Sequence, residues 1–302
     1  MPTAHHICRL AGPKDILRTA ALWAEDRPLF DEYVWPRLPG LLEKLMRAEL
    51  VRLAVIELLP SREPRMLGGF CFIEPEYVAE TRASGSTLPN IAMRAALDGR
   101  EPFLPPTKIA KMNAQSELHL MNFFGNIKAL DLRQSETSNF HAVCNRGYHF
   151  FHFGYAYRAM WVEVWPLHHV QELQNQGMQI EREMKLQTGE TSTLMCLTPE
   201  RALANPYARR SGFFFPPAPR FRFSLGEQNV LEWTMLGLAD DEIAAKVHVS
   251  MDAIKKRWRS IYTKVENVDP GLLATADSGT AQRRELLSYL EVHLEEIRPY
   301  SW

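Results

Sequence analysis

Lys255, Lys256, Arg257, Arg259 and Lys264 fall within one short stretch and face a single acid, Asp252. Such a cation cluster suits a polyanion: ammonium and guanidinium groups displace counterions from phosphates, and their donors reach base edges. Ile254, Trp258, Ile261 and Val265 recur at spacings of 4, 3 and 4 in the same stretch, a buried helical stripe that leaves the cations on the other faces. Ser250 stands where a helix N-cap belongs, and Asp252 in the first turn suits the helix dipole. This predicts a DNA-contacting set of Ser250, Asp252, Lys255, Lys256, Arg257, Arg259 and Lys264. Lys255 and Arg259, one turn apart, are the candidates for bases or phosphates. Lys256, Arg257 and Lys264 are the candidates for backbone phosphates.

Other residues with chemical potential are less organised. His141, His149 and His152 fall within twelve residues and His168-His169 follow, but no acid or cysteine completes a ligand set, so no metal or other cofactor is expected. Cys8, Cys71, Cys144 and Cys196 are scattered, without the paired spacing of a zinc site or disulfide framework. Phe150, Phe151, Phe153, Tyr155, Tyr157, Trp161 and Trp165 form an aromatic block that either lines an apolar pocket or fills the core. No ligand-binding residue can be named.

The cations sit on the last helix of a helix-turn-helix that the pattern predicts over 223–265. Val230, Leu231 and Thr234 share a face of a first helix that Gly237 ends, and a short second helix from Asp240 to about Lys246 buries Ile243, Ala244 and Val247. The segment resembles the C-terminal domain of LuxR-family transcription regulators through Glu227, Val230, Leu231, Gly237, Leu238, Glu242, Ile243, Ala244, Val249, Ser250, Ile254, Lys255, Ile261 and Lys264. Three positions depart from that pattern: Ala239 replaces a capping hydroxyl, which leaves Glu242 without its partner, and Arg257 and Ser260 replace a common His and Asn. The resemblance implies binding of double-stranded DNA as a homodimer. RNA polymerase and a small-molecule effector are further candidate partners. Residues 281–297 read as one more helix, with Leu286, Leu287, Leu290, Leu294 and Ile297 on a face that either pairs with a second copy or packs on its own domain.

At 302 residues two domains are expected, and 46% hydrophobic residues describe an ordinary globular chain. No apolar run is long enough to cross a bilayer, and the start lacks a signal-peptide core, so a cytoplasmic location without membrane contact is expected. The expected division is an α+β domain over 1–210 with a mainly antiparallel sheet, a Pro/Phe-rich linker over 211–222, and an all-α helix-turn-helix domain over 223–302. Helices are expected near 15–24, 38–50 and 137–145, and strands over 51–59, 66–73, 118–124, 160–165 and 193–197. The order of elements from Pro60–Pro64 to the GYAYRAMWVEVW stretch at 154–165 is similar to the GNAT acetyltransferase fold. That resemblance implies a glycine-rich pyrophosphate loop near Asp131–Ser138, where DLRQSETS holds no glycine. The expected function is therefore a transcription regulator that is not an enzyme, with a degenerate GNAT-like sensor or oligomerisation domain. The alternative is an acyltransferase-like enzyme fused to a DNA-binding module.

Overall fold

The computed structural model describes residues 5–127, 134–165, 168–204, 213–274 and 278–302. The chain divides into two compact units: residues 1–151 with 156–215, and residues 152–155 with 216–302.

The first unit is built on a seven-stranded sheet in the order β1-β2-β3-β4-β5-β7-β6. The strands are β1 (His5–Leu10), β2 (Arg52–Leu59), β3 (Glu63–Phe72), β4 (Leu118–Ile127), β5 (Tyr157–Val164), β6 (Gln179–Lys185) and β7 (Thr191–Leu197). Every neighbouring pair is antiparallel except β4 and β5. A parallel pair needs a long crossover, supplied here by the helix α7 (Gln134–His152). Before it come α1 (Asp15–Arg18), α2 (Ala20–Trp23), α3 (Leu38–Arg47), α4 (Pro75–Ala83), α5 (Leu88–Leu97) and α6 (Pro106–Ala114). After β5 come α8 (His168–Asn175) and α9 (Pro199–Ala204). Leu53 and Val55 of β2, Met121 and Phe123 of β4 and Trp161 of β5 share a core with Leu38, Leu42, Leu88 and Ile91 of α3 and α5. Ile56 of β2 packs the opposite way, against Phe140 and Val143 of α7.

The mainly antiparallel sheet is as expected, with differences of local origin. The expected helix over 15–24 is two short helices that meet at Thr19, whose hydroxyl donates to the Asp15 carbonyl (2.9 Å). The helices α4, α5 and α6 had no sequence expectation. Each carries proline in its first two positions, where the missing amide costs nothing. The edge strands β1 and β6 also went unread: Glu181, Arg182, Glu183 and Lys185 give β6 no apolar run, as suits an edge that must not pair further.

The second unit contains α10 (Leu225–Met235), α11 (Asp240–Lys246), α12 (Met251–Val268) and α13 (Gly279–Leu290), then a 3-10 turn over Leu294–Ile297. Ser224 and Glu227 close a reciprocal cap at the start of α10: the Ser224 amide donates to Glu227 Oε2 (2.6 Å) and the Glu227 amide to the Ser224 hydroxyl (3.4 Å). At α11 half of that device survives, because Glu242 Oε2 still accepts the Ala239 amide (2.8 Å); Glu242 is therefore not without a partner. Gly237 ends the first helix with φ 88. Ile254, Trp258, Ile261 and Val265 are the buried stripe of α12.

The expected helix over 281–297 stops at Leu290, and its apolar face turns inward. Leu286, Leu290, Leu294 and Ile297 are all buried within the unit and Leu287 is half-buried, the inward of the two packings expected for this face. Fully buried Arg298 fixes the chain end: its Nη1 donates to Glu232 Oε1 (3.2 Å), its Nε to the Phe153 carbonyl (2.8 Å), and its own carbonyl accepts Gln228 Nε2 (2.6 Å). Where it is described, the Pro/Phe-rich 211–222 stretch is docked, as a phenylalanine run too apolar for a free linker should be. Phe213 packs edge-on to Tyr148 and Phe214 to Tyr157 in the first unit, while Glu296 accepts the amides of Arg220 (2.7 Å) and Phe221 (3.1 Å) in the second.

Candidate functional site

The place in the first unit where backbone pairing breaks is the junction of β4 and β5. Their parallel pairing runs from Leu118 with Tyr157 to Asn122 with Val162. Beyond it the strands keep only outer neighbours: Phe123, Gly125, Asn126 and Ile127 pair with β3, while Val162, Glu163 and Val164 pair with β7. The β3 register shifts at the same point, with Gly69 opposite Phe123 and Gly68 opposite Gly125. One β4 residue, Phe124, is therefore extra, and a bulge of this kind bends its strand and re-aims it. Gly69 permits the bend: a Cβ there would lie 2.6 Å from the Phe123 ring. The two strands thus part in a V, each continuing with its own outer partner.

Glu163 is the one carboxyl on these two strands. It is buried one residue past the last β4–β5 pair, and burial pushes its pKa up against the bonds that favour its charge. Its Oε1 accepts the Ser192 hydroxyl (2.6 Å) and its Oε2 the Leu88 amide (3.0 Å) in the first turn of α5. The carboxyl therefore ties α5 and β7 to the mouth of the V. A cleft of about 420 Å³ lies on the outer side of this tie, with Phe30, Asp31, Thr87, Asn90, Arg94 and Lys185 in its wall. At the closed end of the V, Trp161 Nε1 donates to His119 Nδ1 (3.1 Å). Burial first, then the charges of Arg158 and Arg82, lower the His119 pKa to about 4. With Nδ1 accepting, the neutral ring carries its proton on Nε2 and can only donate there.

A second charged group is self-contained. Glu57 of β2 is fully buried and receives Arg9 (2.6 Å), Arg18 (3.1 Å) and Arg62 (3.3 Å), while Asp15 takes Arg9 and Arg18 (both 2.8 Å). The Arg9 bond in particular holds Asp15 down to about 2. Burial works against Glu57, but the arginines outweigh it and keep it below the usual carboxylate range.

The residues singled out for DNA all lie in the second unit, at or on α12. Ser250 caps the helix by accepting the Ala253 amide (3.2 Å). Ser250, Asp252, Lys255, Lys256 and Arg259 are exposed, and Arg257 is half-buried against Gly226. Lys264 is committed inside the unit, to Glu227 Oε2 (2.6 Å) and the Arg222 carbonyl (3.0 Å). Trp258 donates to Asp240 Oδ1 (3.1 Å), and the Arg283 guanidinium lies 4.0 Å over its ring. In the aromatic block Phe151, Tyr155, Tyr157 and Trp161 are buried in the cores of their units. Among the described residues no group of three His, Cys, Asp or Glu is placed to hold a metal. Also among them, no helix is long and apolar enough to cross a membrane. The glycine-free 131–138 stretch lies outside the described residues up to 133; α7 begins at Gln134. The sequence reading missed Gly69, Phe124 and Glu163; the signal available was the glycine pair in MLGGFCF and the lone acid in an apolar strand.

No protein-family profile matches the chain, and no curated relative does. Among solved structures, the chain is similar to FeeM, an N-acyl amino acid synthase from uncultured soil microbes, at 8% identity and a TM-score of 0.40, covering 68% of this chain and 96% of that one. It is also similar to FdhC, a nucleotide-linked sugar GNAT (10% identity, TM-score 0.35, 70% and 96% covered). A third is the ribosomal-protein-S5-alanine acetyltransferase from Vibrio fischeri (11% identity, TM-score 0.34, 68% and 96% covered). No residue role is taken from them. Against the expectation of a transcription regulator that is not an enzyme stand these similar structures, which include an N-acyl amino acid synthase and an acetyltransferase. The LuxR identification and its regulatory keywords find no support in the comparisons.

Proposed function

We propose that the sheet unit is an acyltransferase that moves an acyl group from a thioester to an amine. The observation that carries this reading is the parting of β4 from β5 at the Phe124 bulge. A coenzyme A-type donor has an extended arm of alternating amide donors and acceptors, which matches a strand edge that has lost its neighbour. The same arm would lead towards the start of α7, and a helix N-terminus suits a diphosphate. In the reaction the amine nitrogen attacks the thioester carbonyl carbon. The new C–N bond forms as the C–S bond breaks, and the proton shed by the amine ends on the departing thiolate, directly or through water. The protein holds the carbonyl in the V, with Glu163 fixing the start of α5 beside it. The FeeM likeness suggests an amino-acid-type amine as the acceptor to try first.

The full-length protein should release free thiol from acyl-coenzyme A only when an amine acceptor is present, with the amide seen by mass spectrometry. Calorimetry showing no binding of coenzyme A thioesters, together with no amide from any amine class, sinks the reading.

For the second unit, the proposed partner is duplex DNA, met by Lys255, Lys256 and Arg259 as an accessory to the enzyme. Their replacement by Ala should weaken retention of a DNA duplex in a gel-shift titration. Unchanged retention removes DNA as the partner.

A further inference from the structure

Three sulfur atoms meet on the face of the sheet that α7 covers. Cys8 of β1 pairs with Ile56 of β2, and Ile56 pairs with Met66 of β3. Directly opposed residues share a face, so these side chains stand in a row across three strands. Cys144 of α7 lies over that row, with its Sγ 3.7 Å from Met66 Sδ. One turn along the helix Gly147 has no side chain, and Cys8 Sγ fills the vacated space, 2.6 Å from where a Cβ would stand. Positions three apart on a helix are surface neighbours, so Cys8 and Cys144 are side by side, close enough to feel each other's charge.

The surroundings select the kind of ion. Ile56, Phe140 and Val143 pack around the sulfurs, which makes a poor site for a hard cation. Thiolate and thioether donors favour soft metals such as Cu(I). Metal–sulfur bonds of about 2.3 Å in a trigonal plane space the sulfurs about 4 Å apart, close to the Cys144–Met66 contact already present. A monovalent ion on one thiolate, with the second thiol and the thioether as neutral donors, leaves the cluster uncharged, as an apolar lining requires.

We propose that Cys8, Cys144 and Met66 form a half-buried three-sulfur site for a soft monovalent metal ion, Cu(I) or its probe Ag(I). Cys71 and Cys196 belong to the other core and serve as internal controls.

The test is titration of the reduced full-length protein with Ag(I) in chloride-free buffer and with Cu(I) against a chromogenic chelator. The wild type should take up a single tight equivalent. Cys8→Ser and Cys144→Ser should each abolish it, Met66→Leu should weaken it, and a Cys71→Ser/Cys196→Ser double variant should keep it. Circular dichroism checks that each variant is folded. If a serine variant does not fold, Cys8→Ala or Cys144→Ala takes its place. X-ray absorption on the Cu(I) form should show three sulfur neighbours, reduced to two in Met66→Leu. Binding that survives loss of Cys8 and Cys144, that follows Cys71 and Cys196, or that is absent from the wild type overturns the site.

Discussion

At the scale of single residues, two side-chain facts govern the opening between β4 and β5. Gly69 lacks the carbon that would strike the Phe123 ring at 2.6 Å, and Phe123 is packed in the core. Gly69→Ala should therefore cost about 1–3 kcal/mol by overpacking. It should also lower acyl transfer more than the stability loss explains, because the bend of β4 moves with the ring. Urea unfolding and thiol-release rates compared on one sample set check this, and wild-type values for both would show that the bend does not depend on the missing carbon. Glu163 gives a prediction in pH. Burial raises its folded pKa above the ordinary value of 4.5, so the folded state binds the proton more tightly than the unfolded chain does. The favourable contribution is complete below about 4.5 and is lost as pH rises through the folded pKa. Glu163→Gln, which cannot ionise, should gain on the wild type as pH rises through that window. Urea midpoints at a series of pH values decide it; parallel curves for the two proteins mean that Glu163 titrates normally.

At the scale of elements, α13 shows how one periodic pattern supports two structures. Leucines four apart read equally well as a dimer face or as an inner face. Here the chain breaks helix after Leu290 and folds Leu294 and Ile297 back, with Glu296 clamped on the Arg220 and Phe221 amides. Leu290 is 0% exposed, and Leu290→Ala should cost about 2–5 kcal/mol in the unfolding of the second unit, followed by hydrogen exchange of the α10 and α12 amides. A change in oligomer mass at unchanged stability is the opposite result and would restore the face as an interface.

At the scale of the whole molecule, two units with separate cores should unfold in two steps, each answering to its own ligand. A ligand that binds only the native state stabilises the unit that holds it. A non-hydrolysable coenzyme A thioester should raise the transition of the sheet unit and leave that of the second unit where it is. Calorimetric scans with and without the thioester analogue check this; an equal rise in both transitions would mean that the units do not melt independently.

The sequence by itself determined what depends on neighbours along the chain. The α12 stripe, the Ser250 cap, the end of α10 at Gly237 and the apolar strands β2, β3, β4 and β7 follow from spacing of side chains within a few residues. It also placed cations on the open faces of α12, yet spacing could not reveal that Lys264 folds back on Glu227. Only the tertiary structure decided which strands are neighbours. The bulge at Phe124 exists because β3 and β4 slip by one residue, and the V exists because β5 takes β7 as its partner when β4 bends away. Those are contacts between residues far apart in sequence, and they bring Glu163 to Leu88 and Ser192 and set Cys8 beside Cys144. A local pattern carries no information about such pairings, because hydrogen bonds and burial are settled by whichever segment arrives opposite. Charged residues mark the site on α12 and their spacing shows in the sequence; backbone edges and glycines mark the opening in the sheet, and these become visible only when the strands are laid side by side.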